Sequence, residues 1–315
     1  MTKIVLDVDT GVDDALAVMT AALSPDVDLL ACTTTWGNID VDQAARNTHA
    51  VLRMVGADDV PVARGAEGPV DGTPPRFSGH VHGADGQGGH ADTSYAPVLA
   101  EESAVELLLR LSHEHAGELD IVAVGPLTNL AHALEADPSL PERIRRVIIM
   151  GGAFLAPGNA TPSAEANIAN DPEAAKRVID ASWACTLVGL DVTMRQMLTE
   201  EHRARLAAGG EAGRYAARIL DHYFEFYRGV TGERCAANHD ALALGVAAGL
   251  VDVALAPEVR VDVDTTRGPS RGSTVADLRG MHRGWPAVEG TRHRVVLEVG
   301  AGFEDAMIDL IAGAA

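Results

Sequence analysis

Apolar and polar positions along the chain change period in a regular rhythm. Residues 3–8 alternate and are rich in β-branched side chains, the signature of a buried strand, whereas Ala15-Leu16-Ala17-Val18-Met19 reads as the apolar side of a helix. Gly11 marks the tight turn between them. Strand-like apolar runs recur at 27–31, 61–63, 119–124, 146–150 and 186–190, mostly with helical patterns between them. Strands alternating with helices specify a parallel sheet, because parallel neighbours need a long crossover and a helix supplies it. Beyond residue 195 the pattern is helical to about residue 250. Two late strand-like stretches, 258–264 and 293–299, then flank a Gly/Arg-rich loop. Residues 65–97, rich in Gly, Pro and His, have no period and read as a lid or binding loop. The expected fold is α/β: a doubly wound, mostly parallel sheet flanked by helices, with a helical C-terminal portion packed on the same domain. No linker or repeat divides residues 1–315, which are read as one domain.

Composition narrows the function. With 315 residues, 47% of them hydrophobic, the chain buries a large core and is not a disordered protein. Its apolar runs are strand-sized, short of the ~20 residues a membrane span needs, and no signal-peptide pattern precedes the first strand, so a cytoplasmic protein is expected. Cys32, Cys185 and Cys235 are widely spaced in apolar sequence and read as reduced packing residues. Twenty-five basic against forty-five acidic residues give a net charge of −20, which repels polyanions and argues against nucleic acid or anionic membrane as partner. No GxxxxGK[ST] or GxGxxG turn follows a strand, so the usual phosphate cradles are missing.

The candidate chemistry sits at the strand ends. Asp7, Asp9, Asp13 and Asp14 crowd the end of the first strand. Four like charges this close destabilise one another unless a cation joins them, and a hard divalent ion with oxygen ligands is the simplest candidate. Two acids in a first helical turn also serve as caps, but capping needs one acid and not four. Further polar signatures follow at Trp36-Gly37-Asn38, Gly125-Pro126-Leu127-Thr128-Asn129, Met150-Gly151-Gly152 and Asp191-Val192-Thr193. In an open α/β sheet these converge on one rim, where ligands bind. Asn159, Glu165 and Asn167 offer the mixed donors and acceptors that vicinal hydroxyls need, and so read as a sugar clamp. Asp171-Pro172 reads as a structural helix start. His239-Asp240 opens an apolar helix: a capping pair on its own, or a proton donor beside a metal ligand.

Together these segments resemble the nucleoside hydrolase family of the inosine-uridine-preferring type. The resemblance rests on DVDTGVDDA at 7–15, TWGN at 35–38, HGADG at 82–86, GPLTN at 125–129, GG at 151–152, Asn159, Glu165, Asn167, DPEAA at 171–175 and HDALA at 239–243. It implies hydrolysis of the N-glycosidic bond of ribonucleosides with one Ca2+ ion. By position, it places Asp9, Asp14, Asp240 and the main-chain carbonyl of Thr128 on the calcium, with Asp9 also the base toward the attacking water. It sets Asp13, Asn38, Met150, Asn159, Glu165 and Asn167 around the ribose, His82 in the base pocket, and His239 near the leaving base as general acid. The expected partner is a small-molecule ribonucleoside, and the chain is expected to be a homodimer or homotetramer.

The chain departs from the pattern in two places. Ala166 stands between Glu165 and Asn167 where the family usually has an aromatic residue, and Gln87 stands where an aliphatic one is common. His80 and His90 read as solvated loop residues, and Tyr223 and Tyr227, on a helix with His222 and Phe226, read as core more than as base-stacking groups. Two other classes compete. Asp7-x-Asp9-Thr10 after a strand also suits a haloacid-dehalogenase-like phosphatase with Asp7 as nucleophile, against which stands the scarcity of lysine. A noncatalytic nucleoside or ribose sensor would keep the same contacts without turnover.

Overall fold

The computed structural model describes residues 1–314. Strand β1 (Thr2–Val8) enters helix α1 (Val12–Leu23) and is followed by β2 (Val27–Thr34), helix α2 (Val41–Met54) and β3 (Val62–Arg64). The chain then crosses back to β4 (Leu119–Ala123), β5 (Ile144–Met150) and β6 (Cys185–Val188). These six pair in parallel in the order β6-β5-β4-β1-β2-β3. His293–Val295 adds in parallel beyond β6, and Glu258–Val259 closes that edge antiparallel. The strand order reverses between β1 and β4, and the crevice at such a switch point is where open α/β sheets bind ligands.

Alternation along the strands explains the two cores. Ile4, Leu6 and Val8 of β1 face α1 and the helices Glu211–Thr231 and Asp240–Ala248, while Val5 joins Ile121, Ala123, Val147 and Ile149 on the opposite face. That second face is covered by helices Ala104–Glu114, Thr128–Ala136 and Pro172–Asp180. A sheet covered on both sides has strands that are apolar throughout, which is what the sequence shows.

The late part of the chain is less regular than its pattern. The stretch 258–264 splits into Glu258–Val259 and Val261–Val263, which belong to different sheets, and 293–299 splits into His293–Val295 and Glu298–Val299 in the same way. The region 195–250 also carries an antiparallel ribbon, Met197–Thr199 with Cys235–Ala237, between its helices. Residues 65–97 are irregular apart from one turn of helix at Gly79–His82. The three cysteines are buried and unpaired. Among the described residues no helix is long and apolar enough to cross a membrane.

Candidate active site

The turn from β1 into α1 builds the floor of the site. Asp14 faces back over its own helix start, its carboxylate accepting from the Asp9 main-chain N–H at 3.1 Å and the Gly11 N–H at 2.9 Å. Asn38, after β2, joins the two acids: its N–H donates to Asp9 Oδ2 at 2.7 Å and its side-chain amide to Asp14 Oδ2 at 3.1 Å. Gly37 makes this approach feasible, since a Cβ there would lie 2.1 Å from Asp9 Oδ2 and its φ of +154° is one L side chains rarely adopt. Asp240 arrives from the start of Asp240–Ala248, and one carboxylate oxygen from each of Asp13, Asp14 and Asp240 lies within 4.8 Å of the others.

All four acids are buried, at 1, 5, 0 and 3% exposure for Asp9, Asp13, Asp14 and Asp240, and among the described residues no Lys or Arg pairs with them. Burial pushes Asp14 up to about 6, with Asp13 adding to the rise. Burial and then Asp14 hold Asp9 well above its ordinary value; burial and then Asp13, Asp14 and Asp9 do the same to Asp240. Asp9 Oδ1 and Asp13 Oδ1 have no hydrogen-bond partner. Crowded, desolvated carboxylates with unused lone pairs suit a hard cation that takes oxygen ligands. The closest-set trio includes Asp13, which the sequence assigned to the sugar, whereas Asp9 joins through Asn38 and Asp14.

Thr128 opens the helix behind the loop that follows β4. It is fully buried as the first residue of Thr128–Ala136, it is not a lining residue of the cavity, and its hydroxyl donates to Asp171 at 2.8 Å while accepting the Trp36 indole N–H at 3.1 Å. Val124, directly after β4, lines the cavity, and its carbonyl accepts from the Asn167 side-chain amide at 2.8 Å.

A cavity of about 1760 Å³ opens above the acids. On one side stand Met150, Glu165 and Asn167, with Asn159 at the exposed mouth. Glu165 caps the short helix Ala166–Asn170, accepting from the N–H groups of Asn167, Ile168 and Gly152, and burial pushes it up to about 7. The Asn159 side-chain amide oxygen accepts from the Ala166 N–H at 2.9 Å. On the other side stand His80, His82, Tyr223, Phe226, Tyr227 and His239. His82 Nδ1 accepts from the Val12 N–H at 3.2 Å, and burial pushes its ring down to about 3, so it is neutral. His90 does not line the cavity.

Tyr223 and Tyr227 belong to the site and not to the core alone. The Tyr223 hydroxyl donates to Asp13 Oδ2 at 3.2 Å, and the Tyr227 hydroxyl lies 2.6 Å from His239 Nε2, whose Nδ1 is 2.7 Å from Thr193 Oγ1. His239 occupies the cap position of its helix yet makes no capping bond. The signal available in sequence was two tyrosines one helical turn apart on an apolar face, since a buried phenol requires a partner. Asp7, the nucleophile of the phosphatase reading, is fully buried on the opposite face, where its Oδ1 accepts from Thr33 and Asn129; it does not line the cavity.

The profile of the inosine-uridine preferring nucleoside hydrolases matches residues 4–301. The chain belongs to this family. It is 36% identical to the inosine-uridine preferring nucleoside hydrolase of Crithidia fasciculata over 282 residues, 88% of each chain. It is 38% identical over 229 residues to uridine nucleosidase 1 of Arabidopsis thaliana, covering 72% of this chain and 66% of that one. The solved structure of a purine-preferring ribonucleoside hydrolase from Gardnerella vaginalis superposes with a TM-score of 0.90 at 30% identity, over 99% of this chain and 98% of that one. These relatives carry different base preferences in their names, so family membership leaves the base open.

Proposed function

We propose that this family member hydrolyses the N-glycosidic bond of ribonucleosides to free base and ribose, with a calcium ion among Asp9, Asp13, Asp14, Asp240 and the Val124 carbonyl. The supporting observation is the placement of a buried acidic cluster, without a cation from the chain, between a polyol clamp and a wall of rings. Calcium takes six to eight oxygens, so these groups leave room for sugar hydroxyls and a water; when bound it neutralises the cluster, orients the hydroxyls and acidifies the water.

The chain's own residues supply the rest. Asp9 Oδ1, buried and unpartnered, is the base that takes the proton as water attacks C1′. Asn38, Asn167 and Glu165 hold the sugar hydroxyls, and Asp13 faces the positive charge that develops on the ring as the C1′–N bond breaks. His239, held between the Thr193 and Tyr227 hydroxyls, passes a proton toward the departing base nitrogen. Small neutral substrates suit an acidic protein, and assembly as a homodimer or homotetramer in the cytoplasm is part of the same reading.

The test measures free ribose from inosine, adenosine, uridine and cytidine with calcium, with a chelator, and after calcium is restored. Release that stops with chelator and returns with calcium is expected. Nucleoside binding without released sugar would leave a sensor in place of an enzyme. His239→Ala is expected to slow inosine roughly 10- to 100-fold and p-nitrophenyl riboside less, because the better leaving group needs less proton assistance.

A further inference from the structure

A fully buried amide is bonded to the turn that forms the floor of the site. Gln87 lies in the loop that carries His82, and an aliphatic side chain would fill its space without the cost of desolvating an amide. Its bonds show what the amide adds. Nε2 donates to the Gly11 carbonyl at 2.6 Å and the Gly86 carbonyl at 3.0 Å and lies 3.4 Å from the Thr10 carbonyl, while Oε1 accepts from the Tyr215 hydroxyl at 3.2 Å. Gly11 is thereby held on both sides, since its own N–H donates to Asp14 at 2.9 Å. The Asn47 amide adds a parallel tie, donating to the Thr10 carbonyl at 3.1 Å and the Asp85 carbonyl at 2.9 Å. The loop that presents Gln87 is itself fixed, because the Asp85 carboxylate accepts from the N–H groups of Gln87, Gly89 and Ala91 at 3.0, 2.8 and 2.8 Å. It also packs closely on the turn: a Cβ on Gly11 would lie 2.6 Å from His82 Nδ1.

Thr10 and Gly11 are part of the link between Asp9 and the pair Asp13 and Asp14, which approach the proposed cation from the two ends of this turn. The spacing of those carboxylates is set by the peptide groups between them, and these are the groups that Gln87 and Asn47 hold. We propose that Gln87 is a positioning residue for the cation site, its amide fixing the Thr10–Gly11 segment so that the carboxylates on either side meet one ion. The inference rests on the calcium reading of the site. A group of this kind never touches the ion, yet it sets affinity, because the ligands are ordered in the fold and lose less freedom when the ion binds. Tyr215 joins the same amide to helix Glu211–Thr231, which also carries Tyr223 and Tyr227. The two ties use different atoms of Gln87, Nε2 toward the floor and Oε1 toward the helix, so each can be cut without the other.

The experiment measures the calcium Kd by titration calorimetry, and the melting temperature in chelator, for the parent chain, Gln87→Met and Tyr215→Phe. Met is unbranched like Gln and fills the same space without the bonds. Gln87→Met is expected to weaken calcium binding roughly tenfold or more. Its ribose release from uridine should need correspondingly more calcium to reach half its maximal rate. Tyr215→Phe leaves the bond to Gly11 in place and is expected to keep the parent's Kd to within about twofold. A Gln87→Met chain that melts earlier but binds calcium as the parent does overturns the inference and leaves the cation site standing. Equal weakening by both variants is general loosening of the loop and overturns it too. Gln87→Leu carries the same test if the Met variant does not fold. A parent chain that binds no calcium overturns both the inference and the calcium reading.

Discussion

At the amino end of β4, Asp120 is fully buried beneath two arginines: Arg145 donates to its two oxygens at 2.7 and 2.6 Å, and Arg146 Nε donates at 3.1 Å. At the carboxyl end of the same sheet, Asp9, Asp13, Asp14 and Asp240 are buried to a similar degree with only one another, backbone amides and neutral side chains for company. Both ends pay the desolvation cost of a buried carboxylate, but only the first is compensated within the chain. A buried acid that finds an arginine is part of the fold. A group of them that finds none is prepared for a cation and a ligand from outside.

The sharpest way to break that contrast is Asp9→Ala. Ribose release from uridine should fall on the order of 10³-fold or more, because a base and a cation contact are lost together. The melting temperature in chelator should stay level or rise, since one of four repelling charges is gone. Turnover near that of the unmodified enzyme would sink the assignment.

Asp120→Ala should behave in the opposite way. It leaves Arg145 and Arg146 without their buried partner and is expected to lower the unfolding free energy in urea by about 3 kcal/mol, with turnover per folded molecule unchanged. An activity loss without a stability loss would place Asp120 in the site and erase the comparison.

Calcium and pH together give the next effect. The cluster's folded-state values lie above the ordinary aspartate value, so the metal-free fold binds more protons than the unfolded chain, and its stability falls as pH rises from about 4 through 6 and beyond. Calcium must displace those protons. Its stabilisation should therefore be small below about pH 6 and reach about 2–3 kcal/mol at pH 8 with a hundredfold excess over Kd, read as a shift in melting temperature. A shift of equal size at pH 5 and pH 8 would show that the cluster does not hold the ion.

Asp7 sharpens the contrast from a third position. Its Oδ1 accepts from the Thr33 hydroxyl at 2.5 Å and the Asn129 amide at 2.7 Å, Oδ2 has no partner, and burial pushes it up to about 6. Because its folded value is raised, its cost is absent below about pH 4 and complete above about 6. Asp7→Asn should therefore gain on the parent chain by on the order of 1–2 kcal/mol between pH 4 and pH 7 in denaturation experiments. No such gain would mean that Asp7 is neutralised by something besides burial.

Much of this was legible before the fold was known. The six parallel strands follow from apolar runs spaced by helical periods, and the rim follows from polar residues at each strand end. The late strands were recognisable as strands but not as members of three separate sheets, since two- and three-residue pairings are set by neighbours and not by local pattern. Spacing along GPLTN does not tell that Thr128 begins a helix with its hydroxyl between Asp171 and Trp36. Tyr223 and Tyr227 were hidden by the apolar residues around them, and their hydroxyls acquired roles only when Asp13 and His239 came within reach.

Sequence alone determined the layered α/β architecture and the crowding of acids after β1, because hydrophobic period and local charge density act over a few residues. Tertiary structure decided which acids share one point and which rings and hydroxyls stand over them. Those are contacts between segments more than 200 residues apart, and closing such distances is the work of core packing, on which no local pattern reports.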